Sequence, residues 1–166
     1  RFDLLPEDAA AMLADLAKVE DEMKRHVRIF ETGPLIALRS KGIGVMSREE
    51  AIKAHTVGPT ARASGVRESD LRLRHPTYQA LGFEQVTRTE GDNFARVMVR
   101  FDEVFQSIDL IRKCVDTLPD GPIRGGGLCR AGEASHSGEA PRGELTYSVK
   151  RSEERRVGKE CHVVCR

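Results

Sequence analysis

The sequence predicts a mainly α protein, a fragment of a long-helix bundle with a small β element near residues 139–150. Three observations carry this. Met12, Leu16, Val19, Met23, Val27 and Phe30 recur at steps of four and three, which gives one apolar stripe over about five helical turns. Phe94, Met98, Phe101, Phe105 and Ile108 form a second such row, widened by Val97, Val104, Ile111 and Val115. Leu145, Tyr147 and Val149 alternate with Thr146, Ser148 and Lys150 at the two-residue period of a half-buried strand.

The first helix is expected to start near Pro6, with Glu7 and Asp8 where the positive end of the helix dipole favours acid. It reads as a packed core helix, and Gly33-Pro34 stops it. Ser47 with Glu50 three residues on is a capping box, so a short helix should run from about Arg48 to His55. Gly58-Pro59, Gly65 and Pro76 deny any long regular element to the stretch that follows, and a loop of that length usually has a task or covers one.

The strongest helix should run from about Asp92 to just before Pro119. Along it lies a polar ladder of Asp92, Arg96, Arg100, Glu103 and Ser107, read either as a solvated face with i,i+4 ion pairs or as a half-buried network meeting a neighbouring element. Beyond Pro119 the segment IRGGGLCRAGEASHSGEAPRG reads as a flexible loop. Its glycines lack the Gly-Lys-Ser/Thr of a phosphate loop.

A chain of 166 residues can bury one domain-sized core. Its net charge of +1 gives no reason to expect nucleic acid or an anionic membrane as partner. It opens at Arg1 rather than Met, as expected of a fragment open at its start. The four cysteines, at 114, 129, 161 and 165, resemble no disulfide framework. Cys114 sits in the apolar pattern of the second long helix and is expected to be a small buried hydrophobe.

Three ordered segments carry a family resemblance: RSKGIGVMSREEAIKAHTVGPTARASGVRESDLR, then GDNFARVMVRFDEVFQSIDLIRKCVDTLPDGPI, then GEAPRGEL. They resemble successive motifs of the large catalytic subunit of membrane-bound, energy-converting nickel-iron hydrogenases, and in looser form the 49-kDa-type subunit of respiratory complex I. The resemblance covers nearly all of residues 30–150 and departs from the family pattern between His75 and Phe83. It implies that residues 1–150 are part of such a subunit, truncated at both ends. The intact oxidoreductase would work with an iron-sulfur small subunit and membrane ion-pumping subunits, as a peripheral arm on the cytoplasmic side of the cell membrane.

In the family a nickel-iron centre is held by two Cys-x2-Cys pairs, neither of which is in this chain, so no residue here is a metal ligand and the fragment is expected to be inactive. What carries over is Arg142, with Pro141 before it and Glu139 opening the motif: in the related hydrogenases this arginine overhangs the open metal position where hydrogen binds. A simpler role for Arg142 is an ion pair with Glu139 or Glu144. Arg62, Asp70 and Arg72 belong to the GPTARASG…DLR motif, which in the family lies toward the iron-sulfur subunit; the other reading is a loop tied down by its own arginine–carboxylate pairs. Two rivals stand beside the hydrogenase. One is a complex I type subunit with quinone as substrate, and the other is a non-catalytic scaffold that keeps the bundle.

The last sixteen residues read differently. RSEERRVGKEC, from Arg151 to Cys161, is what translation of the reverse complement of a common short-read sequencing adapter yields, and the rest continues in frame. Residues 151–166 are therefore expected to be a non-native tail that adds nothing to the fold, and Cys161 and Cys165 to mimic the absent cysteine pair. Omitting them removes five basic and three acidic residues and leaves a net charge of −1.

Overall fold

The computed structural model describes residues 4–67, 70–119, 121, 131–151 and, for the backbone alone, 162–164. Two long helices dominate. The first, α1, spans Pro6–Thr32, and the last, α6, spans Asn93–Asp116. Between them come α2 (Pro34–Ser40), α3 (Arg48–Lys53), α4 (Gly58–Ala63), a 3-10 turn (Leu71–Arg74) and α5 (Pro76–Ala80). After α6 a hairpin of β1 (Gly132–Ala140) and β2 (Gly143–Arg151) is joined by β3 (His162–Val164) in an antiparallel sheet of order β1-β2-β3.

The apolar stripe of α1 does face α6: Phe30 stacks on Phe94 at 5.1 Å between centroids and meets Phe101 edge-on at 5.9 Å. Arg112 of α6 closes the pair by binding Glu20 at 2.5 Å. The expectation of a packed core helix is corrected in degree, since no residue of α1 is fully buried and Val19 is exposed. A second neighbour would be needed to cover the rest of the stripe, because two helices shield only one side of each other.

Gly33-Pro34 ends α1 as expected and, one residue later, starts α2. Proline lacks the N–H that a first helical position leaves unused, so the residue that cannot continue one helix can open the next. The capping box at Ser47 forms in full: Glu50 N–H donates to Ser47 Oγ, and Ser47 N–H donates to the Glu50 carboxylate.

The core is small and sits where α4 crosses α6, with Ala63, Ala95 and Val99 packed together and Val86 against them. Small side chains there let the two backbones approach closely. Gly91 shows how tight the surroundings are: it has φ +65°, its N–H donates to Ala63 C=O, and a Cβ on it would lie 2.2 Å from the Met46 carbonyl oxygen.

Three further expectations change. Residues 132–140 form a strand paired residue by residue with β2, from Gly132↔Arg151 to Ala140↔Gly143, rather than a flexible loop. Ser135 and Ser137 bond across to Ser148 and Thr146, so a polar sequence gains a ladder that no hydrophobic alternation announces. Cys114 is exposed rather than buried, because the last turns of α6 run past the end of the packed core. In the tail, Arg151 ends β2 and residues 162–164 pair with Thr146–Ser148 as β3, while residues 152–161 and 165–166, and Cys129 further upstream, lie outside the described residues.

Candidate functional site

The Glu-Ala-Pro-Arg-Gly motif is the hairpin turn. Ala140 pairs with Gly143, leaving Pro141 and Arg142 at the tip. This tip is pressed onto the start of α4. Gly58 has φ +68°, and a Cβ built on it would meet the Arg142 carbonyl oxygen at 2.3 Å. A Cβ on Gly143, at φ +128°, would meet Val57 Cγ2 at 2.6 Å. Only two glycines allow this approach.

One turn further along α4, Arg62 reaches into the same contact. It is 1% exposed and meets carboxylates from three separate elements. Its Nη1 donates to Glu139 Oε1 of β1 at 2.8 Å and to Asp70 Oδ2 at 3.4 Å. Its Nε lies 2.6 Å from Glu103 Oε1 of α6, a close charge contact that is not aligned as a hydrogen bond. Glu139 in turn accepts the Leu71 N–H on its second oxygen at 3.4 Å.

Asp70 has no exposed side-chain surface and is held by Arg72, whose Nε donates to Oδ1 at 2.9 Å and whose Nη2 donates to Oδ2 at 2.6 Å. The Arg72 guanidinium also lies over the Phe83 ring at 4.6 Å. This planar fork between a carboxylate and a ring is an arrangement a lysine cannot reproduce.

Burial is the largest influence on Glu103 and pushes its carboxyl above the ordinary range; Arg62 and Arg72 oppose the shift and Asp70 adds to it. For Arg72 burial pulls downward, but the Asp70 hydrogen bonds and the fields of Asp70, Glu103 and Glu139 outweigh it and hold the guanidinium above its usual value.

Arg62, Arg72, Glu103 and Glu139 line one side of a cleft of about 750 Å³ between α6 and the hairpin tip, with Tyr78, Arg100, Ser107 and Arg142 among the rest of the wall. Arg142 itself is exposed. Among the described residues its side chain makes no ion pair, and Glu139, one of its two expected partners, binds Arg62 instead.

The structure thus joins two groups that the sequence kept apart, since Glu139 of the turn shares a cluster with Arg62, Asp70 and Arg72. It adds Glu103, which the polar ladder contained without singling out. Its signal was a charge flanked by apolar rows on both sides of one helix. Two other ladder residues also meet neighbours: Asp92 caps α6 through Ala95 N–H and accepts Gly42 N–H, and Arg96 donates to the carbonyls of Gly44 and Gly91, whereas Arg100 and Ser107 bond back to carbonyls of α6 itself.

A nickel-iron centre needs thiolate ligands, and among the described residues the polar side chains lining the cleft are carboxylates, guanidinium groups and hydroxyls. Among the described residues no group of three His, Cys, Asp or Glu side chains is arranged to hold a metal ion. These residues therefore do not fit that centre as a ligand set.

The two-helix frame presents an arginine-tipped hairpin over a buried ion cluster, and the proteins it is similar to are oxidoreductase subunits of the hydrogenase and NADH-quinone oxidoreductase kinds. The chain belongs to the family described as respiratory-chain NADH dehydrogenase, 49 Kd subunit, whose pattern matches residues 2–127. It is 37% identical over 155 residues to a carbon monoxide-induced hydrogenase of Rhodospirillum rubrum, a match covering 90% of this chain and 43% of that protein. It is 40% identical over 122 residues to the C/D-type NADH-quinone oxidoreductase subunit of Phocaeicola vulgatus, covering 72% of this chain and 23% of that one. Among solved structures it resembles a chain of the membrane-bound sulfane sulfur reductase, an archaeal respiratory membrane complex, with TM-score 0.75 and 28% identity over 92% of this chain and 44% of that one. The chain spans less than half the length of each of these relatives.

Proposed function

We propose that this chain is part of the large subunit of an energy-converting nickel-iron hydrogenase, in which the intact protein cleaves or forms hydrogen and exchanges electrons with an iron-sulfur partner. The carrying observation is the anchored tip: the backbone of Arg142 is fixed against Gly58 while its side chain stays exposed at the rim of the cleft. A guanidinium held this way can stabilise or receive charge that develops beside it when hydrogen is split unevenly into hydride and proton. The similarity to a hydrogenase over 90% of this chain favours this branch. Metal ligands would come from parts of the protein outside the cleft.

The face formed by α4 and the following 3-10 turn, with Arg62, Asp70 and Arg72, is the proposed side for the iron-sulfur subunit. With Arg62 and Asp70 buried, direct contact would fall to Arg72, whose side chain is 17% exposed. Among the described residues no helix is long and apolar enough to cross a membrane, and the protein is placed, as a proposal, on the cytoplasmic side of a membrane complex beside ion-pumping subunits.

The second reading is a quinone-reducing subunit, favoured by the family match and by the similarity to the C/D-type protein of NADH-quinone oxidoreductase. Recovering the gene on both sides of this segment separates the two. Two Cys-x2-Cys pairs, nickel in the purified complex and hydrogen-dependent dye reduction support the hydrogenase. Absence of both pairs with quinone reduction supports the alternative, and absence of both activities supports a scaffold.

A further inference from the structure

We propose that Arg62 is the positioning residue of the Arg142 turn, a clamp that fixes where the Arg142 side chain stands over the cleft. The inference rests on the reading of Arg142 as a site residue. Helix α4 grips the hairpin twice, at points one helical turn apart. Gly58 takes the Arg142 carbonyl against its bare Cα, and Arg62 takes the Glu139 carboxylate three residues before Arg142. Two grips on opposite sides of a two-residue tip fix both its position and its tilt, where either alone would leave a pivot.

Arg62 is in turn held from behind. Asp70, itself locked by Arg72, and Glu103 of α6 bind its other faces, so the clamp is referred to a long helix of the frame and not to a mobile loop. Three carboxylates facing two guanidinium groups leave one negative charge in excess when all are ionised. Burying that arrangement is costly, and apolar side chains of the same size would tie the elements together more cheaply. What apolar packing cannot supply is direction. The charge-assisted hydrogen bond from Arg62 to Glu139 has a fixed direction and ties β1 to α4 two residues before the tip.

The test uses the full-length protein in its assembled complex and two variants that disturb the two grips separately. Arg62→Lys keeps the charge and loses the fork. Gly58→Ala leaves all charges and pushes on the Arg142 carbonyl. Hydrogen exchange of the 138–145 amides, exchange of the α6 amides and turnover with separate kcat and KM are measured for each.

The clamp predicts that both variants speed exchange at the hairpin tip roughly tenfold or more while α6 stays at its wild-type rate. The reading of Arg142 as a site residue adds that kcat falls with KM little changed, because a displaced Arg142 fails at the chemical step. Unchanged exchange at the tip in Arg62→Lys overturns the clamp, and so does an equal rise in α6, which marks a merely structural ion pair. If a variant does not assemble, Glu139→Gln, which preserves shape and weakens the same bond, gives the same readouts. A loosened tip with normal kcat leaves the clamp standing and overturns the functional reading of Arg142.

Discussion

Arg142 and Glu103 are the two side chains whose behaviour follows most directly from their surroundings. Pro141 fixes its own φ, and Gly143 takes a φ of +128° that other residues rarely adopt, so the backbone around Arg142 has little freedom. Arg142→Lys in the intact enzyme is expected to lower turnover on the order of 10²-fold with metal content and assembly unchanged, since lysine offers a flexible point donor in place of a planar one. Near-normal activity at full nickel occupancy would sink the assignment. Glu103 leads to a stability measurement. Its folded-state pKa is raised by burial, so its contribution is fully present below the ordinary glutamate range and is lost as pH rises through the raised value. Unfolding midpoints of Glu103→Gln should therefore fall less, across that window, than those of the wild type. A steeper decline in the variant would show that the arginines outweigh burial.

At the scale of elements, the short helices owe their existence to their ends. Six-residue α3 is held by a complete capping box, and removing half of it with Ser47→Ala should cost about 1 kcal/mol in chemical denaturation. The turn before α6 depends on Gly91 in the same way. Its positive φ and its contact with Met46 mean that Gly91→Ala adds backbone strain on the order of 1–3 kcal/mol to a direct clash. A loss below that of Ser47→Ala would mean that the Met46 segment yields easily. The polar ladder of α6 shows how an element can be read correctly and its use missed. The spacing settled which residues share a face, but only the crossing of α4 turned Glu103 inward to Arg62.

The whole molecule leaves much apolar surface uncovered. Val19 and Ile29 on α1, Leu35 and Leu38 on α2, and Ile43 and Val45 beyond it are all exposed, with Leu38 at 74%. That surface accords with a chain that spans less than half of its relatives' length. Residues 151–166 are proposed as non-native. Deleting residues 152–166 should leave the unfolding midpoint of the remainder unchanged, although 162–164 extend the sheet by three pairs. A clear loss of stability would make that strand part of the fold. The chain by itself is expected to retain no stoichiometric nickel after chelator washing, because among the described residues no group of three His, Cys, Asp or Glu side chains is arranged to hold a metal ion.

By itself the sequence determined what short-range physics encodes. The faces of α1 and α6 followed from helical spacing, the start of α3 from its capping box, and the strand through Leu145–Val149 from alternation. The motifs of α4 and the EAPRG turn were enough to mark the family. Only the tertiary structure decided the pairing of the polar strand β1, whose partner supplies its ladder, and the exposure of Cys114, which depends on where the neighbouring elements stop. It also decided that Glu139, 77 residues from Arg62, binds that arginine and not Arg142. Contacts across such distances depend on how closely two backbones approach, and here that approach is set by the missing side chains of Gly58 and Gly143, whose effect on packing appears only when the facing chain is in place.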